Sequence, residues 1–160
     1  MSTTSSTTSS TTTANRVTVN TAEEINRRIR RETEARIRAF AANPGGIEQR
    51  LDELDEEWDI ERVLETNASA LAFGGLALGA TVDRKWLALP ALVTAFLFQH
   101  AVQGWCPPIP ILRRFGIRTA QEIEHERTAL KALRGDFATL VPDDADPAAR
   151  AERALQAARR

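Results

Sequence analysis

The residue of this sequence with the most distinctive chemical reactivity is a cysteine, whose thiol follows a long uncharged stretch. The thiol belongs to Cys106, and the nearby guanidinium groups of Arg113 and Arg114 would favour its thiolate form. A thiolate here could accept sulfur or form a bond between subunits. The alternative interpretation is a small packing residue at the membrane interface in a proline-rich turn, because no general base or second cysteine accompanies it.

The polar side chains just before Cys106 are the second candidate. His100, with Gln99 and Gln103, could form a polar face that lines a contact between copies or a pore. The alternative is that these side chains lie at the level of lipid headgroups and reach water. One cysteine and two histidines exclude a disulfide framework within the chain and a zinc site of paired thiolates. We therefore expect no catalytic site, metal or cofactor, and no enzyme.

The apolar residues are concentrated between Asn67 and Trp105, although the whole chain, with 42% hydrophobic and 27% charged residues, has the composition of a soluble protein. Only the charged tripeptide 83–85 interrupts this stretch. A single helix through it would be about 58 Å long, nearly twice the roughly 30 Å core of a bilayer. The sequence therefore predicts a hairpin of two transmembrane helices, at about 63–82 and 86–105.

Small residues recur along one face of the first span at spacings of four, three and four. They are Ala68, Ala72, Gly75 and Gly79. Such a face allows another helix to approach closely. Its partner is either the second span of the same hairpin or the same face of another copy, and the sequence leaves this choice open.

Trp86 and Trp105 bracket the second span, at positions where aromatic rings favour the membrane interface. Basic residues close to the spans are more numerous on the terminal side than in the turn, which carries Arg84 and Lys85. Those on the terminal side are Arg50, Arg62, Arg113, Arg114 and Arg118. The positive-inside rule therefore predicts that both termini are cytoplasmic.

Charged segments precede the hairpin. Residues 1–20 are rich in Ser and Thr and are expected to be a disordered tail. Residues 21–61 are expected to form amphipathic helices, the first of which is basic and begins at Thr21 with Glu24 as its capping partner. The second helix is acidic. Opposite charges suggest that the two helices pair with each other, and the alternative is that both are solvated faces.

The segment after the hairpin repeats the same capping spacing. Thr119 and Glu122 predict the start of a helix over residues 120–137. Residues 138–160 are expected to be a polar tail with a short helix.

Several local motifs resemble those of a known family. They are Asp83-Arg84-Lys85 between a glycine-bearing span and a span opened by Trp86, then Gly104-Trp105-Cys106-Pro107, and then Phe115-Gly116-Ile117-Arg118-Thr119. These motifs, within about 62–119, resemble the YgaP-like inner-membrane domain, a bacterial two-span hairpin of largely unknown function. The resemblance implies a hairpin that dimerises and that follows a rhodanese sulfurtransferase domain in the best-known member. Residues 1–66 contain no cysteine, so no sulfurtransferase activity is expected.

Taken together, these patterns predict an all-α membrane hairpin of two transmembrane helices, flanked by cytoplasmic amphipathic helices. The expected function is a self-associating anchor or interaction scaffold in the bacterial inner membrane. Its expected partners are the lipid bilayer, further copies in a homodimer or larger homo-oligomer, and a cytoplasmic protein. A net charge of -1 gives no electrostatic case for binding nucleic acid. The alternatives are an oligomeric channel or transporter for a small solute or anion, and a soluble helical adaptor.

Overall fold

A computed structural model describes residues 16–137, and within this range the chain is helical with no strand. Seven α-helices follow one another: α1 (Arg16–Val19), α2 (Glu23–Ala42), α3 (Ile47–Glu56), α4 (Ile60–Thr81), α5 (Ala88–Gln103), α6 (Ile109–Arg114) and α7 (Ala120–Arg134). Two short 3-10 turns precede α3 and α5, at Pro44–Gly46 and Arg84–Leu87. The all-α fold class predicted from the sequence is confirmed.

The chain divides into two compact units that interleave along the sequence. Among the described residues, unit 1 comprises 16–27 and Trp58–Ala120, and unit 2 comprises Arg28–Glu57 and 121–137. Helices α2 and α7 each contribute residues to both units. The sequence analysis had divided the chain into consecutive segments, and it did not anticipate this interleaving because helical periodicity within one segment carries no information about contacts between distant segments.

Helices α4 and α5 of unit 1 pack side by side in antiparallel order. Near the turn, Gly79 lies against Leu87 and Gly75 lies against Pro90. Inside the turn, the Asp83 carboxylate accepts a hydrogen bond from the backbone N–H of Lys85 at 2.8 Å. This bond satisfies one of the donors that a helical start leaves without an intrahelical partner.

The end of the pair opposite this turn is closed by α1 and α6. A buried apolar cluster forms there from Val17, Ile60, Leu64, Cys106 and Ile109. Gly104 ends α5 in the left-handed conformation, with φ of 72°. A side chain at Gly104 would also collide with Arg16, so this position requires glycine for both its backbone conformation and its close approach to α1.

Unit 2 has its own core, formed by α3 together with parts of α2 and α7. The buried members are Ile47, Leu51, Leu54, Ile123 and Leu130, with Phe40 packed against them. Ion pairs at the edge of this core join the acidic α3 to α7: Arg127 lies 2.7 Å from Asp55, and Arg134 lies 2.8 Å from Glu48. The sequence analysis had expected the basic residues of α2 to pair with α3, but α7 supplies these two arginines.

The start of α2 differs from the sequence prediction. The hydroxyl of Thr21 donates a hydrogen bond to the carbonyl oxygen of Val17 at 2.7 Å, and α2 begins only at Glu23. The reason is α1, a helical turn within the segment that was expected to be disordered, whose last carbonyls need donors. The disordered-tail prediction is therefore wrong from Arg16 onward, where Val17 is buried. Residues 1–15 and the predicted polar tail at 138–160 lie outside the described residues.

In the part of the chain that the structure describes, one segment is long and apolar enough to cross a membrane by length and composition, Arg84–Gln103. Only 11% of its most apolar stretch is buried inside the protein. Helix α4 falls short because Glu61, Arg62 and Glu65 occupy its first two turns, which leaves an uncharged stretch of roughly 24 Å over residues 66–81. The two-span hairpin therefore stays a prediction, of which the structure supports one candidate span.

Candidate functional site

Two of the four small residues of α4, Gly75 and Gly79, form the seam along which this helix meets α5. Gly75 and Gly79 are buried, and Ala68 and Ala72 are half-buried. A Cβ atom added to Gly75 would lie 2.5 Å from Cδ of Pro90, and one added to Gly79 would lie 2.5 Å from Cδ2 of Leu87. The small face at these two glycines thus packs against the second helix of the same hairpin, which is one of the two partners that the sequence left open.

The opposite faces of the pair carry large apolar side chains that no other part of the described chain covers. On α4, Phe73 is 75% exposed, and on α5, Phe98 is 72% exposed. Other exposed members of this outer surface are Leu71, Leu76, Leu78, Val82, Leu92 and Val102. The helix pair therefore has its small residues inside and its large apolar residues outside, which is the reverse of a helix pair that folds in water.

Tryptophans lie near both ends of the pair. Trp86 is in the 3-10 turn before α5 and is 44% exposed, and Trp105 follows α5 and is 37% exposed. Just before α4, Trp58 is also exposed, and the guanidinium of Arg62 lies over its ring, 4.3 Å from the centroid. The sequence analysis did not consider Trp58 together with Trp86 and Trp105, because Trp58 precedes the uncharged stretch by more than two helical turns.

His100 faces into unit 1 and binds a carboxylate on α4. Its Nε2 atom lies 2.6 Å from Oε2 of Glu61, and the histidine is only 7% exposed. Gln99 is half-buried and Gln103 is exposed. The backbone carbonyl oxygen of Gln103 accepts a hydrogen bond from the side-chain amide of Asn20. The imidazole is therefore engaged within one chain, so no observation here favours a pore lined by these three residues. Sequence reasoning missed Glu61, because its partner is 39 residues away.

Cys106 lies in the apolar cluster at the closed end of the helix pair and is 5% exposed. Burial raises the pKa of its thiol. The expectation that Arg113 favours the thiolate is wrong, because this guanidinium is directed to the carbonyl oxygen of Ile117 at 3.1 Å and to the side-chain oxygen of Asn26 at 2.9 Å. The environment of Cys106 supports the packing interpretation over the reactive one.

We expect Cys106 to react slowly with a charged maleimide in the folded chain. Compared with a cysteine at the exposed Ala35, placed in a Cys106→Ala background, the rate should be severalfold lower, because burial lowers the thiolate fraction of Cys106 and keeps a charged reagent from its Sγ atom. Both rates are obtained by quenching the maleimide reaction and measuring the intact mass of the protein. Equal rates would restore the reactive interpretation.

Unit 2 holds a fully buried carboxylate between two arginines. Glu126 of α7 accepts hydrogen bonds from Arg36 of α2, at 3.1 and 3.0 Å, and from Arg50 of α3, at 3.0 and 3.4 Å. Burial lowers the pKa of Arg50, but its hydrogen bonds to Glu126 and Glu53 outweigh burial and raise the pKa above its ordinary value. These bonds join three helices of unit 2.

The position of Glu126 could have been recognised from the sequence. Ile123, Glu126 and Leu130 recur at spacings of three and four, and all three are buried. A charge in the register of a buried apolar stripe needs partners of opposite charge. The sequence analysis identified this helix from the capping spacing at its start and missed the buried carboxylate in its apolar stripe.

Among residues 16–137, no group of three or more His, Cys, Asp or Glu side chains is arranged to hold a metal ion. Comparison of the chain with models of protein families, with curated proteins and with solved structures finds no match. Function must therefore be argued from the geometry of the helix pair and of the charged unit.

Proposed function

We propose that the chain is an integral protein of the bacterial inner membrane, in which α4 and α5 cross the bilayer as a hairpin. The helix pair anchors a charged helical unit on the cytoplasmic side. The observation that carries this proposal is the outer surface of the pair, where Phe73, Leu76, Phe98 and Val102 are exposed while the two glycines are buried. Exposed apolar residues of this size on both helices suit hydrocarbon as their solvent.

The packing of α4 supports a second span even though α4 alone is too polar to qualify. Close contact at Gly75 and Gly79 keeps the apolar part of α4 alongside α5, so a bilayer that surrounds α5 also surrounds this part of α4. The polar first turns of α4 lie at the other end of the pair, where Glu61 binds His100. That bond gives the buried Nε2 atom of His100 a partner near the interface, where water and headgroups reach the carboxylate, which is 44% exposed, whereas Nδ1 has no hydrogen-bond partner among the described residues.

Charge supports the orientation. Five basic residues lie close to the pair on the side of the termini, of which Arg62 and Arg114 are exposed, against Arg84 and Lys85 in the turn, and the positive-inside rule favours the side with more of them as cytoplasmic. The chain passes between the two units three times, and unit 2 offers exposed acidic and basic side chains to a cytoplasmic protein. Further copies would associate through the outer apolar surface, because Gly75 and Gly79 are occupied by α5.

Extraction of membranes at alkaline pH tests the proposal. We expect the full chain to stay in the pellet after a carbonate wash and to leave it only when detergent is added. A peripheral membrane protein and a known two-span protein provide the two reference outcomes. Release by carbonate as a soluble species of defined size would contradict the proposal and favour the soluble adaptor.

A charge on the outer face of α4 tests whether this helix lies in hydrocarbon. Leu76→Arg should reduce the fraction in the pellet, because an arginine near the centre of a span costs about 2.5–3.5 kcal/mol on insertion. Gln49→Arg, on the exposed surface of α3, is the matched control and should behave as the unchanged chain.

Tags at the two termini of the chain then count the spans. Both tags should be digested in inverted inner-membrane vesicles and protected in intact spheroplasts. Digestion of only one tag in inverted vesicles would mean that α5 crosses alone.

A further inference from the structure

The helix pair carries a groove at the end opposite its turn. The groove has a volume of about 470 Å³, within the usual range for sites that bind small molecules. Its walls come from Leu64, Ala68 and Leu71 of α4 and from Leu92, Phe96 and Leu97 of α5. The exit segment 106–108 closes one side, where its two prolines cannot continue α5.

The lining of this groove selects an apolar ligand. It contains no charged residue, and its polar side chain, Asn67, already donates a hydrogen bond to the carbonyl oxygen of Val63 at 2.7 Å. A polar ligand would lose its water without gaining partners. A hydrocarbon chain has no hydrogen bonds to lose on entering this environment, and it gains the van der Waals contacts that an unfilled groove leaves unmade.

The rim of the groove indicates where such a ligand comes from. Leu71 and Leu92 stand at the rim and are 52% and 54% exposed, so the groove is continuous with the outer apolar surface of the pair. If that surface lies in a bilayer, which is the proposed function, the groove opens to acyl chains and not to water. Leu64 lies one turn from Glu61, so the groove belongs to the leaflet on the side of the termini.

From these observations we infer that the groove holds one acyl chain of a phospholipid from the cytoplasmic leaflet. The occupant is a bilayer lipid because the groove, apart from the amide of Asn67, is apolar and continuous with the exposed apolar surface at its rim. The two helix faces that enclose the acyl chain belong to α4 and α5, so the lipid would contact both spans.

Lipid retention measured by native mass spectrometry tests this inference. The full chain is purified from membranes in a mild detergent, delipidated, and then supplied with a defined phosphatidylglycerol carrying two unbranched chains. We expect one lipid retained on each chain. Ala68→Phe, which fills the groove, should leave most of the protein without retained lipid, because the added ring occupies the volume that the acyl chain needs.

The control substitution lies on the same helix. Ala70→Phe adds the same side chain at an exposed position, two residues away, and should retain lipid as the unchanged chain does. Val93→Phe narrows the groove from α5 and should repeat the loss, so that a folding defect peculiar to Ala68→Phe cannot explain the result. Circular dichroism checks that all three variants remain helical.

Three outcomes would overturn the inference. The first is that the unchanged protein retains no lipid, and the second is that the groove variants and the control variant retain it equally. The third is that a detergent monomer occupies the groove and the phospholipid does not displace it. A chain that stays in carbonate-washed membranes but gives any of these results leaves the proposed function intact. Release from the membranes would instead contradict the proposed function itself.

Discussion

Replacing Gly75 with leucine is expected to lower the free energy of unfolding of the α4–α5 pair by about 2–3 kcal/mol. The first carbon of the new side chain would stand 2.5 Å from Cδ of Pro90 and 3.2 Å from Cβ of Leu89, so the helices must separate to admit it. Unfolding of the full chain in mixed micelles, by titration of a denaturing detergent, gives this free energy through tryptophan fluorescence.

The adjacent glycine provides the control. A Cβ atom added to Gly74 meets no atom within 4 Å, and leucine favours a helix more than glycine does. Gly74→Leu should therefore leave the stability unchanged or raise it slightly. Equal stability of the two variants would contradict the intramolecular seam. A change in oligomer size alone for Gly75→Leu would mean that this face meets another copy instead of α5.

The second large effect concerns unit 2. Glu126→Gln should lower the free energy of unfolding by about 3 kcal/mol, because it leaves Arg36 and Arg50 near a buried site without the charge that both arginines bind. We assign the lower end of the range for buried pairs, since the Arg36 side chain is 36% exposed and keeps some of its hydration. Urea unfolding of the detergent-solubilised chain, followed by circular dichroism, measures the loss.

A carboxylate on the same helix provides the comparison. Glu124 is 57% exposed and pairs with Arg127, so Glu124→Gln should cost less than about 1 kcal/mol. Replacing all three members of the buried cluster with apolar residues of similar size should recover much of the stability lost by Glu126→Gln. If Glu126→Gln and Glu124→Gln have equal effects, the cluster is not the constraint that the geometry indicates.

The features that the sequence could predict are those that depend on local periodicity. The spacing of Ala68, Ala72, Gly75 and Gly79 placed these residues on one face of α4, because residues three and four apart share one side of a helix, and the two glycines of that face pack against α5. The all-helical fold followed for the same reason, since apolar residues recur at helical spacing outside the uncharged stretch as well.

The features that the sequence could not predict depend on contacts between distant segments. His100 meets Glu61, and Arg113 meets Asn26, across separations of 39 and 87 residues. No spacing rule links such residues in a single sequence. Arg113 was therefore assigned to Cys106, which is near in sequence, although its hydrogen bonds lie elsewhere in unit 1.

The interleaving of the two units also could not be predicted from the sequence. Helix α2 shows one continuous amphipathic pattern over Glu23–Ala42, although its first residues belong to unit 1 and the rest to unit 2. Periodicity identifies the buried face of a helix but not the identity of the neighbour that covers it.

The turn between α4 and α5 bears on how the protein enters the membrane. On the proposed topology this turn must be carried across the bilayer, and Asp83, Arg84 and Lys85 give it a net charge of +1. Moving that charge outward against an inside-negative potential requires about 2.3 kcal/mol of electrical work per 100 mV. Asp83 lowers this work by cancelling one of the two cations that it accompanies. Insertion of the hairpin should therefore become more sensitive to the membrane potential when Asp83 is replaced with asparagine.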